Sequence, residues 1–160
     1  MGLLSDMAAG SEQRLIAARA VVSDAELRER CAALPPLPRL RLSAEGFDLI
    51  AELKLRSPAL GDLSARTLDP VARLRGYAEA GAAICSILTE PSRFDGDLSH
   101  LRQAAAALAP YGVPAMRKDF LVDPYQVLEA RAHGAGGVLL IVRMVERERL
   151  IAMLDAAALP

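Results

Sequence analysis

Glu52 and Lys54 stand two positions apart at the end of the apolar run FDLIAEL. In a strand that spacing puts both side chains on one face. Turned toward the interior of an enzyme, the pair is acid/base equipment; at a strand end open to water it is a surface ion pair of little energetic weight. Lys118 follows the apolar run VPAM within MRKDF, flanked by Arg117 and Asp119. A lysine partly withdrawn from water at a strand end can deliver a proton to a carbonyl or hydroxyl oxygen. The same RKD triplet also fits a solvated charge cluster in a loop. Phe94 and Phe120, two of three phenylalanines, fall in segments that follow strands. Such aromatics wall an apolar pocket or pin a loop to the body. Ser57-Pro58 by itself reads as an ordinary turn.

Composition narrows the classes open to these residues. The chain has 160 residues, about one domain. At 52% hydrophobic it has ample material for a core, which excludes intrinsic disorder. Nineteen basic against twenty acidic side chains argue against a nucleic-acid or anionic-membrane surface. Two cysteines, Cys31 and Cys85, make neither a disulfide framework nor a zinc cluster, and His100 and His133 add little. Cys85 reads as core, and both histidines as surface. The start MGLLSDMAAG has no basic region followed by an apolar stretch, and Asp6 breaks a myristoylation pattern. No apolar run approaches the roughly 20 residues of a membrane span, so the expectation is a soluble, cytoplasmic chain.

The elements that would position the polar residues follow from patterning. Residues 5–33 read as one or two helices, with a capping box at Ser23 to Glu26. LPPLPRLRLS is a stiff, extended connector, because its prolines forbid helix. An N-terminal region, 1–45, is thus set off from 46–160. In the latter, FDLIAEL (47–53), AAICSIL (82–88), VPAM (113–116) and GGVLLIV (136–142) alternate with amphipathic stretches. Asp69-Pro70 and Asp123-Pro124 open helices, and Gly81 and Gly134 close them. Unalternated apolar strands separated by helices imply a parallel sheet of four βα units. A doubly wound sheet should carry a glycine-rich phosphate turn after its first strand. KLRSPALG stands there instead, so the pattern favours part of a (β/α)₈ barrel. The polar residues then sit at the C-terminal strand ends, where barrels gather chemistry. These are Glu52 and Lys54, Thr89 and Glu90, Arg117 to Asp119, and Arg143.

Three strings, FDLIAELKLRSPALG, SILTEPSRFDGDLSHL and MRKDFLVDPYQVLEARAHGAGGVLLIV, resemble in order and spacing the strand-loop signatures of the indole-3-glycerol phosphate synthases. The resemblance covers essentially the whole chain and implies the N-terminal half of a (β/α)₈ barrel behind a helical extension. It implies a carboxy-lyase of tryptophan biosynthesis that closes and decarboxylates carboxyphenylamino-deoxyribulose 5-phosphate, with no metal or organic cofactor. By resemblance, Lys118 is the general acid, and Glu52 and Lys54 are the strand-one acid/base pair. Ser57 and Glu90 line the substrate site, while Phe94, Phe120 and Leu139 pack around the anthranilate ring. Phosphoribosylanthranilate isomerase fits the KDF and LTE strings poorly. Ala59 and Asp97 replace serines usual in the family. The strand-five glutamate, strand-six asparagine and phosphate-gripping loops have no counterpart in these 160 residues. Barrels of this fold run to about 250 residues. The expectation is therefore a half without activity of its own, or a non-catalytic module that pairs with itself or a second chain. The inward side of its sheet should be left bare in parts of FDLIAEL and GGVLLIV.

Overall fold

The computed structural model describes residues 2–63 and 69–159. Two helices lead the chain, α1 (Leu3–Val21) and α2 (Asp24–Ala32). α1 buries Met7, Ser11 and Leu15, one residue per turn on a single face. Ser23 caps α2 by accepting from the Glu26 amide, but the Glu26 carboxylate pairs with Arg30, so the expected capping box closes on one side only. Residues 33–49 then run without regular structure through the prolines.

The sheet has four parallel strands in the order β1 (Ile50–Leu53), β4 (Ile84–Leu88), β5 (Ala115–Lys118) and β6 (Gly137–Val138). Between β1 and β4 lie a small antiparallel ribbon, β2 (Arg56–Ser57) with β3 (Gly61–Asp62), and helix α3 (Pro70–Glu79). The short α4 (Pro91–Phe94) and α5 (Leu98–Leu108) join β4 to β5; α6 (Pro124–Ala132) precedes β6, and α7 (Arg147–Ala158) follows it. Both Asp-Pro starts behave as expected. Asp69 and Asp123 cap α3 and α6 through their side chains, with proline in the first turn. Gly81 and Gly134 follow those helices at φ +87° and +85°, a backbone region that disfavours any other residue.

All four strands differ from their expected bounds, β4 starting at Ile84 rather than at residue 82. β1 begins at Ile50: Leu49 contributes only its carbonyl, which accepts from Ala83 N at 2.9 Å, and Phe47 is 90% exposed. The third strand is Ala115–Lys118 rather than 113–116. Pro114 contributes only its carbonyl, which accepts from Cys85, and the charged pair Arg117-Lys118 completes the strand. β6 pairs only over Gly137–Val138, because β5 is its one partner among the described residues. The inward side expected to be bare is so only in part: Ile50 is 56% exposed, whereas Ile84 and Leu88 are buried and Leu139 to Ile141 half-buried.

Two apolar clusters hold the layers. Ala51, Leu53, Cys85, Ile87 and Ala115 pack from the convex face of the sheet onto Leu74 of α3 and Leu101, Ala104 and Leu108 of α5. Leu15, Leu27 and Cys31 of the leading helices pack with Tyr125, Leu128 and Met153 of α6 and α7. The N-terminal helices therefore share a core with the last helices. At Gly136 a Cβ would fall 1.9 Å from the Pro38 carbonyl oxygen, so the connector crosses where only glycine fits.

Candidate active site

Alternation along the strands decides which side chains reach the concave face. Since Ala51, Leu53, Cys85, Ile87 and Ala115 face the helices, the concave face receives Ile50 and Glu52, Ile84, Ser86 and Leu88, and Met116 and Lys118. Register sets Glu52 beside Ser86, Ser86 beside Met116, and Leu88 beside Lys118. Lys118 Nζ donates to Glu52 Oε2 across the intervening strand. Lys54 Nζ donates to Oε1 of the same carboxylate at 2.8 Å. One carboxylate thus lies between two ammonium groups, all three partly open to solvent. Burial works to raise the Glu52 pKa. The hydrogen bonds and charges of Lys118 and Lys54 outweigh it and hold the carboxyl below the ordinary 4.5.

Arg117 and Asp119, the neighbours of Lys118, point the other way and are buried. Asp119 accepts from Arg14 at 2.8 Å, from the Thr89 hydroxyl at 2.8 Å and from its neighbour Phe120 N at 2.8 Å, while Arg117 Nη2 reaches it at 3.3 Å. Arg117 also donates to Glu129 and to the Gln126 carbonyl. The solvated charge cluster that the triplet also permitted is therefore not what forms. A buried polar network fixes the backbone on both sides of Lys118, and with it the direction of the lysine.

Glu90 is 1% exposed and caps α4, its oxygens accepting from Ser92 N, Ser92 Oγ and Arg93 N. Arg14 approaches it at 3.6 Å. Gly96 is indispensable to this turn, since a Cβ there would meet the Leu88 carbonyl oxygen at 2.6 Å. The rings of Phe94 and Phe120 lie 6.4 Å apart, tilted by 35°, and form one apolar wall. Leu139 N donates to the Arg117 carbonyl, which carries the chain past β6 along the same edge. Ser57 is buried in the β2–β3 ribbon, and its Oγ accepts from Ala59 N. Asp97 caps α5 through Ser99 N. Arg143 is exposed on a 3₁₀ turn and takes no part. His100 and His133 are half-buried rather than surface, the latter bonded to the Glu129 carbonyl. Cys85 is fully buried, and burial pushes its thiol up to about 11.

Sequence reasoning missed Arg14. It reaches Asp119 and Glu90 from α1, more than a hundred residues before Asp119 in the chain. Arg19 adds ion pairs to Asp24 and Asp123 and lies 5.3 Å over the Tyr125 ring. Gln126 donates to Ser11. The amphipathic pattern of α1 carries no sign of such targets; only an arginine one turn from a buried face could have hinted at them.

Parallel strands backed by helices, with ionisable groups at the strand ends, define half of a (β/α)₈ barrel. Comparison with known proteins gives the family. A family model described as indole-3-glycerol phosphate synthase matches residues 5–159, and the chain belongs to that family. Similar curated proteins, each named indole-3-glycerol phosphate synthase, include those of Mycobacterium avium (41% identical, 96% of this chain and 56% of the relative), Saccharopolyspora erythraea (43%, 97% and 57%) and a Nocardioides species (44%, 98% and 60%). The chain spans between half and two thirds of the length of these relatives. Among the described residues, no helix is long and apolar enough to cross a membrane.

Proposed function

We propose that this chain supplies the proton-transfer half of an indole-3-glycerol phosphate synthase site and acts in the cytoplasm. The observation that carries the reading is the Glu52 carboxylate held between Lys54 and Lys118 at the strand ends. The substrate is a phosphosugar bearing an anthranilate ring. Its ring carbon attacks the sugar ketone, and Lys118 gives a proton to the ketone oxygen as the carbon–carbon bond forms. Carbon dioxide then leaves the ring. Water departs last, with Lys54 assisting and Glu52 balancing the charge on both lysines. Phe94, Phe120 and Leu139 wall the ring, while Ser57 and Glu90 shape the polar side of the pocket. Proton delivery to a developing alkoxide contributes roughly 10²–10⁴ in rate.

The phosphate grip belongs to the part of the relatives' length that these residues do not span. The chain alone is therefore expected to be inactive, and addition of a chain supplying the C-terminal half to restore ring closure. Turnover by the isolated chain at the rate of a whole synthase would overturn this division of labour.

A second reading takes the chain as a non-catalytic half-barrel that pairs with itself or with another chain. It is favoured by the exposed edge at Phe47, Leu49 and Ile50. Sedimentation decides between them: a tight dimer without ring-closing capacity after complementation supports the pairing module.

A further inference from the structure

The N-terminal end of the sheet, opposite the Glu52–Lys118 couple, carries a groove that the proposed chemistry does not use. Its volume is about 1150 Å³, and it lies between the proline-rich connector and the starts of β4 and β5. Those are the two inner strands of the sheet, so the groove is set away from the free edges of β1 and β6. Leu34, Leu37, Val113 and Pro114 give it apolar walls. Arg39 and Arg41 from the connector line it too, as does Arg131 from the last turn of α6. Among the described residues no acidic side chain lines it, although the chain has twenty acidic side chains against nineteen basic ones.

Three guanidinium groups around one hollow repel one another unless an anion joins them. Among the described residues none of the three pairs with a carboxylate. Arg39 donates to the Leu159 carbonyl at 3.3 Å, and Arg131 is half-buried with its Nε unpartnered. The carbonyl end of α6 favours a cation at Arg131. Nothing comparable accounts for Arg39 and Arg41. In a nearly neutral chain, such a concave cluster concentrates positive potential and draws anions. The wall is also fixed in advance. Pro36 and Pro38 stiffen the connector, and a Cβ at Gly136 would fall 1.9 Å from the Pro38 oxygen. A ligand arriving there has little chain to order. Arginine forks suit phosphate and carboxylate oxygens, while the apolar walls suit a hydrocarbon body.

We propose that this groove binds a small organic oxyanion, a phosphate ester or carboxylate carrying an apolar body. The charged group meets Arg39, Arg41 and Arg131, and the body lies on Leu34, Leu37 and Val113. The site is separate from Lys54 and Lys118, which stand at the opposite, C-terminal ends of their strands. It does not depend on the function proposed above.

The test is a nitrogen-15 NMR titration of the full 160-residue chain with phenyl phosphate, with benzoate and, as neutral control, with benzyl alcohol. One or both anions should shift the amides of Arg39, Arg41, Gly112 and Val113 saturably, and the tighter of the two identifies the charged group. Arg131→Gln should weaken that binding about tenfold or more, because a contact to a charged group is lost. Arg131→Lys keeps the charge without the planar fork and should lose less. Arg39→Gln combined with Arg41→Gln changes two exposed positions and should weaken binding several-fold. Failure of both anions to bind, equal shifts with benzyl alcohol, or shifts centred on Lys54 and Lys118 would overturn the proposal. Unchanged affinity in either glutamine variant would do the same. So would loss of binding once a chain supplying the C-terminal half is added, since the groove would then hold a carboxylate of the protein itself.

Discussion

Lys118 donates to Glu52 across β4, which separates their strands, although the two residues lie 66 positions apart in the chain. Lys54 closes the other side of the same carboxylate. Replacing Glu52 by glutamine leaves both ammonium groups without their anion. Each ion pair is about one-third exposed, so the loss in folding stability should be about 1 kcal/mol or less. Restored ring closure should fall about a hundredfold or more. Urea unfolding and product fluorescence measure the two effects separately.

The acid side of the stability profile follows from the same carboxylate. Glu52 is held below its ordinary 4.5 in the folded chain, and Asp97, hydrogen-bonded to Ser99, below 3.8. The folded state then binds fewer protons than the unfolded state as these groups titrate. Their stabilisation is complete above the unfolded values and disappears as pH falls through the folded ones. Urea midpoints should be flat near neutrality and drop below about pH 4.5. Glu52→Gln should show a smaller acid drop than the parent chain.

Asp119 is the anchor of the buried network, accepting from Arg14, Thr89, Arg117 and Phe120 N. Asp119→Ala leaves the Arg117 guanidinium buried without one of its two carboxylate partners. That change should cost about 3 kcal/mol. Arg14 is 30% exposed, so Arg14→Ala should cost only about 1 kcal/mol. Its signature is local: faster amide exchange in α1, with the sheet unaffected.

Gly136→Ala tests the crossing of the connector. The new Cβ would sit 1.9 Å from the Pro38 oxygen, and the backbone must move. A loss of about 1–3 kcal/mol is expected, together with increased protease cleavage between residues 34 and 42.

Much of the sheet was legible because Val, Ile and Leu runs with Asp-Pro starts and Gly stops leave a clear trace. Its limits were not. Arg117 and Lys118 look like loop residues by polarity, yet β5 includes both, since Arg117 is neutralised by Glu129 and Asp119. The β2–β3 ribbon and α4 are too short to show periodicity; α4 exists because Glu90 caps it. In the site, Glu52 and Lys54 were readable from their spacing of two. The meeting with Lys118 is a matter of strand order, which local patterning does not encode. Arg14 depends on how the N-terminal helix docks.

The central assignment is Lys118 as the proton donor. The most direct measurement is single-turnover ring closure by the complemented assembly, comparing the parent chain with Lys118→Met at matched substrate saturation. Abolition of product formation in the variant, with binding of a substrate analogue retained, is the predicted result. Equal single-turnover rates for the two would contradict it.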